Sequence, residues 1–153
     1  MEREAVIREA QSWLGTPFRD CARIKGPRGG VDCGQFLCCV FSAAGVAKIA
    51  DPPKYNLQFM LNRIEESYVE ELLKYTVEIS REQAVAGDVV VLRWGHVYSH
   101  GAILLDRWPG PIIHALNPLG VIITDATRDA RILATLRKYP KSPPRFFRPK
   151  QWA

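Results

Sequence analysis

Cys33 has the surroundings of a reactive thiol. It follows a loop rich in glycine (Gly26, Gly29, Gly30) and opens a run in which Phe36, Leu37, Val40, Phe41 and Ala44 recur at helical spacing. A thiol at a helix start meets unpaired backbone N–H groups and the positive end of the helix dipole. Both favour thiolate, the nucleophilic form. Gly29, Gly30 and Gly34 let a substrate backbone approach without a Cβ clash. Such a nucleophile needs a base, most often a histidine held by a third polar group. The chain has three histidines, His96, His100 and His114. His100 begins a β-prone run through Leu105, which puts it at a strand end facing a rim. His114 lies among Ile112, Ile113, Ala115 and Leu116, and taken alone it reads first as a satisfied, half-buried strand histidine. If the two strands pair through the turn at Trp108-Pro109-Gly110, the imidazoles become neighbours and His114 can fix the tautomer of His100. His96 is the competing base. Trp94, His96 and Tyr98 either line the cleft as an aromatic rim or close the hairpin.

The remaining cysteines have blander surroundings. Cys38 and Cys39 fall in mid-helix beside Leu37, Val40 and Phe41 and read as small core residues, while Cys21 has no local activator. Two adjacent cysteines, with three of the four crowded into one segment, do not make a disulfide framework, so a reduced chain is expected. The paired spacing of a metal site is missing, and none is expected.

The elements that must position these groups fall into a helical half and a strand half. Val6, Ile7, Ala10, Trp13 and Leu14 outline an amphipathic helix over residues 2–14, stopped by Gly15 and Pro17. An irregular basic loop spans 18–31, and a second helix runs from Cys33 to Gly45. A third, capped by Asn56, carries Leu57, Met60, Leu61, Ile64 and Tyr68 and extends toward Leu73. After Gly87 the period changes: residues 88–94, 100–106, 112–116 and 121–125 are short β-prone runs joined by Gly and Pro turns. The spacing predicts an antiparallel meander covered on one face by the helices, an α+β layout. Lys141-Ser142-Pro143-Pro144 leads into an extended tail or a last edge strand.

Composition sets the outer bounds. With 153 residues, 47% hydrophobic and 24% charged, the chain is expected to fold as one domain over 1–153 rather than remain disordered. No apolar stretch reaches the ~18 residues of a membrane span. Met1-Glu2-Arg3-Glu4 is unlike the basic start of a signal peptide, so a protein cytoplasmic as synthesised is expected, reaching any outside target by another route. Residues 128–153 hold eight basic side chains against Asp129, a local charge of +7 within a net +5, which leaves −2 for the rest. Such an end suits a polyanion, but no nucleic-acid-binding motif accompanies it.

Trp13-Leu14-Gly15-Thr16-Pro17-Phe18, Gly30-Val31-Asp32-Cys33-Gly34, Gly87-Asp88-Val89-Val90, Ser99-His100-Gly101-Ala102-Ile103-Leu104 and Ile113-His114-Ala115 resemble, in that order, the NlpC-type family of cell-wall cysteine peptidases, above all its short phage-tail-associated forms. The resemblance implies a papain-like α+β fold, with Cys33 as nucleophile, His100 as base and His114 as the orienting third residue. It implies hydrolysis of amide bonds in peptidoglycan stem peptides, typically between D-glutamate and the diamino acid, through an acyl-enzyme and with no cofactor. It makes Asp32, beside the nucleophile, a candidate for holding the substrate amine; Phe18, Gly34, Gln35, Trp94, His96 and Ser99 are the other expected substrate-binding residues. Phe18 departs from the family's usual tyrosine and removes a hydroxyl; Gly34-Gln35 replaces the usual Ser-Gly. The same thiolate chemistry serves papain-like acyltransferases, and a weakly active homologue kept as a tail component is a further alternative. Outside enzymes, the basic end alone suggests a nucleic-acid-binding module. For that end the further expectations are an anionic lipid, an anionic cell-wall polymer or simply a solvated surface.

Overall fold

The computed structural model describes residues 2–47 and 67–153. Helix α1 (Glu2–Ser12) buries Val6 and Ala10. It ends two residues before the expected boundary, and the chain turns through Gly15, whose φ of +86° suits only glycine comfortably. Helix α2 (Cys33–Ala43) buries Phe36, Leu37, Val40 and Phe41, the stripe its spacing predicts. The intervening loop is more ordered than expected: Arg23–Ile24 (β1) and Gly30–Val31 (β2) pair as a small hairpin. Of the third expected helix, the portion capped by Asn56 lies outside the described residues. Within the expected range the described residues form α3 (Ser67–Leu73), which buries Tyr68 and Val69.

The remaining strands are β3 (Thr76–Ile79), β4 (Val89–Arg93), β5 (Tyr98–Leu104), β6 (Pro111–Leu116), β7 (Gly120–Asp125) and β8 (Arg145–Pro149). They form one antiparallel sheet in the order β3-β8-β4-β5-β6-β7, which makes the fold α+β. β4 to β7 are the expected meander. β8 corrects the expectation of a tail or edge strand, because it inserts between β3 and β4, pairing Phe146 with both Ile79 and Val90. The reason is burial: Phe146 and Phe147 point to opposite faces, and each meets a core.

The sheet is also covered on both faces rather than one. Val89, Val91, Ile103, Ile113 and Phe147 pack under α1 and α2. On the other face Val90, Leu92, Ala102, Leu104, Ile112 and Phe146 pack with Ile132 of α4 (Ala130–Lys138), a helix in the basic segment that was not among the expected elements. Burial on both faces is why β4 reads as an unbroken apolar run, Val89-Val90-Val91-Leu92, instead of alternating. At the edge of the first core the buried Asp88 accepts hydrogen bonds from Arg3 (2.9 Å) and Arg148 (2.8 and 3.0 Å), joining α1 and β8 to the start of β4. Two of the eight cations of the basic end are therefore structural, since Arg145 also forms a two-pronged pair with Glu78. No helix among the described residues is long and apolar enough to cross a membrane.

Candidate active site

Cys33 is the first residue of α2, and Asp32 is its N-cap. One Asp32 carboxylate oxygen accepts from the Gln35 N–H (2.8 Å) and the other from the Cys21 N–H (2.6 Å). The cap thus secures both the helix start and the preceding loop, where Cys21 is held at φ +59°. β2 delivers the chain to this point while Val31 exchanges backbone bonds with Pro17 and Arg19, which carries Phe18 alongside. The loop is in turn fixed to the far hairpin: Val121 N–H bonds the Thr16 carbonyl at 2.9 Å, and a Cβ on Gly120 would run into that same carbonyl.

β5 and β6 pair as expected, Ile103 with Ile113 and Leu104 with Ile112. Continued, that register sets His114 diagonal to His100, within reach of two long side chains. His100 Nε2 lies 2.7 Å from His114 Nδ1, and His114 Nε2 lies 2.8 Å from Thr124 Oγ1 on β7. Trp94 packs on His100 with ring centroids 4.9 Å apart. A register shift between Leu92 and Arg93 precedes it, and such irregularities re-aim the side chains that follow. Ser99 Oγ donates to the Trp94 carbonyl (2.8 Å), and the Cys33 thiol donates to the Ser99 carbonyl (3.4 Å).

Phe18, Cys33, Trp94, Ser99, His100, Leu116 and Asn117 line one cleft of about 310 Å³ including its open mouth. Five of these seven carry a sequence expectation, and His114 lies directly behind them. Four expected residues are elsewhere. Asp32 is buried with one oxygen engaged by the cap and the other by the Cys21 N–H, Gln35 is buried in the first turn of α2, and Gly34, between them, is not part of the lining. His96 is exposed in the β4–β5 turn. Tyr98 closes the hairpin, donating to the Pro143 carbonyl at 2.7 Å. Leu116, Asn117 and Thr124 went unnoticed in the sequence. They are brought in by the β6–β7 pairing, and nothing in their local patterns marks them.

The electrostatics correct one expectation. The helix start was expected to make Cys33 a thiolate, but burial, seconded by the Asp32 carboxylate, pushes its pKa up to about 12. Bonds from the Gly101 and Gly34 backbone and the Tyr68 hydroxyl pull the other way without prevailing. Burial, reinforced by His114, holds His100 well below the usual imidazole value, and burial brings His114 down to about 4. At neutral pH the cleft therefore contains a neutral thiol and a neutral imidazole. Such a pair can carry out base-assisted attack, in which the thiol loses its proton as sulfur bonds to carbon.

No protein-family model and no curated protein sequence matches the chain. Solved structures do. An NLP/P60 family lipoprotein-like structure from Staphylococcus aureus aligns with a TM-score of 0.59 and 22% identity over 88% of this chain, which spans 39% of that protein. The NlpC/p60 domain of the peptidoglycan hydrolase SagA gives 0.58 and 24% identity, covering 82% of this chain and 90% of that one. RipD from Mycobacterium tuberculosis, a non-catalytic NlpC/p60 domain protein adapted to peptidoglycan binding, gives 0.57 and 16%, covering 97% of both. The fold of this chain is the NlpC/P60 fold.

Proposed function

We propose that this chain of NlpC/P60 fold is a cysteine peptidase that hydrolyses amide bonds in peptidoglycan stem peptides, with the D-glutamyl–diamino acid bond as its target. The observation that carries the reading is the alignment of groups behind one cleft: Cys33 and His100 in the lining, then His114, then Thr124. The base role fixes the protons along that line. His100 must keep Nδ1 unprotonated for the thiol, so its Nε2–H donates to His114 Nδ1, and His114 Nε2–H donates to the Thr124 hydroxyl.

His100 then takes the thiol proton as Cys33 Sγ attacks the scissile carbonyl carbon. The backbone N–H of Cys33, in the first turn of α2, receives the developing oxyanion. Collapse of the tetrahedral intermediate breaks the C–N bond, the proton passes from His100 to the leaving amine, and a thioester remains. Water, deprotonated by His100, hydrolyses it and restores the thiol. Phe18, Trp94 and Leu116 supply apolar walls that exclude water, while Asn117 offers a donor and an acceptor at the mouth.

Exposed Arg131, Arg137, Lys138, Lys141 and Lys150 give the protein a cationic surface for an anionic wall polymer. Digestion of defined stem peptides tests the catalytic reading: wild type releases fragments and Cys33→Ala releases none, whereas equal release by both overturns it.

A further inference from the structure

Tyr68 is a buried phenol that the proton pathway above does not use. It sits in α3, is 8% exposed, and its hydroxyl donates to the Cys33 carbonyl at 3.4 Å. That carbonyl heads α2 and takes the ordinary helical bond as well, so it does not depend on the phenol. The other polar atom of Cys33 is the thiol, and the two groups act on each other. The Tyr68 hydroxyl favours ionisation of Cys33, while the Tyr68 pKa is raised by burial first and Cys33 second.

The fold leaves room for this hydroxyl. Any Cβ on Gly101, the residue after His100, would run into it and would come within 2.9 Å of Leu37 Cδ1. A phenol from α3, a glycine from β5 and the first residue of α2 therefore meet at the nucleophile. Phe18 and Trp94, the apolar aromatic residues of the cleft wall, bring no hydroxyl of their own.

We infer that Tyr68 is a positioning residue for Cys33, its hydroxyl turning its single proton from the Cys33 carbonyl to the sulfur as negative charge develops there. The inference rests on Cys33 being the nucleophile of the proposed reaction, but its test requires no substrate. The titratable groups around the thiol are Asp32 at the cap, Cys38 on α2, and His100 across the cleft with His114 behind it. All of them survive the replacement Tyr68→Phe, which also keeps the ring.

The experiment is alkylation by iodoacetamide from about pH 7 to about pH 10, with peptide mass spectrometry to resolve Cys33 from Cys21, Cys38 and Cys39. A hydrogen bond to a thiolate alters its population by on the order of tenfold. The stronger nucleophilicity of a more basic thiolate recovers about threefold of that. Cys33 in Tyr68→Phe should therefore react roughly threefold more slowly than wild type across the range, with Cys38 and Cys39 unchanged. Gly101→Ala, which keeps the phenol in the chain but takes its space, should slow Cys33 in the same sense. Superimposable Cys33 profiles, or a change shared by Cys38 and Cys39, would overturn the inference. A displaced Cys33 profile without cleavage of any stem peptide would sink the peptidase reading and leave the role of Tyr68 standing.

Discussion

At Cys33 two influences compete, and burial wins over the helix start. The outcome concerns the resting state: a neutral thiol, protected from adventitious oxidation because the thiolate is scarce. His100 and His114 are likewise kept neutral, and this has a consequence for stability. Both folded-state pKa values lie below the ordinary 6.5, so between those values the unfolded chain binds more protons than the folded one. The stability due to the buried neutral pair is fully present above about pH 6.5 and declines as pH falls, His114's share being lost as pH reaches about 4. Each histidine should contribute a slope of about 1.4 kcal/mol per pH unit in that window. Denaturant unfolding as a function of pH checks this, with His114→Asn expected to lose one histidine's share of the slope. A wild-type midpoint flat across the window would contradict the buried pair.

Among the elements, α1, α2 and the four-strand meander were legible because their signals are local: apolar residues three and four apart, and short β-prone runs between Gly and Pro turns. The same signals led to Cys33 at a helix start and to His100 and His114 on adjacent strands. β3 and the interior place of β8 were not legible, since Thr76 pairs with Pro149 across most of the chain's second half. Helix α4 carries a local signal of the same kind, Ile132, Leu133 and Leu136 at helical spacing after the Asp129 cap, but it lies amid basic side chains that read first as charge. Tyr68, Asn117 and Thr124 enter the site only through tertiary pairing. Asp32 was marked only by the resemblance, and its part as the α2 cap depends on where its oxygens turn, toward the loop and the helix, which the sequence does not show. The cap role predicts that Asp32→Ala destabilises the protein by about 1–2 kcal/mol in denaturant unfolding. An unchanged midpoint would mean that the α2 start is held by something else.

Across the whole molecule, the basic end divides into cations that build the fold and cations that remain outside it. Arg145 and Arg148 are committed to Glu78 and Asp88, the latter buried and shared with Arg3 near the N-terminus. Arg148 bonds this network to α1 through Asp88, while the Trp152 indole donates to Glu2 at 2.6 Å, so the two ends of the described chain close on each other. The outward cations are thus separable from the fold. Reversing Lys138, Lys141 and Lys150 to glutamate should reduce sedimentation with purified sacculi several-fold at low salt and leave turnover of small peptides intact. Equal sedimentation would remove those lysines from any account of wall binding.

The central claim is that Cys33 forms a covalent acyl intermediate with a stem-peptide amide, and intact-protein mass spectrometry of acid-quenched digests tests it most directly. Wild type should carry an added mass equal to the acyl half of the peptide, located on Cys33 and absent from Cys33→Ala, which should release no fragments. Fragment release by Cys33→Ala, or cleavage by wild type with the acyl mass on another residue, would contradict it.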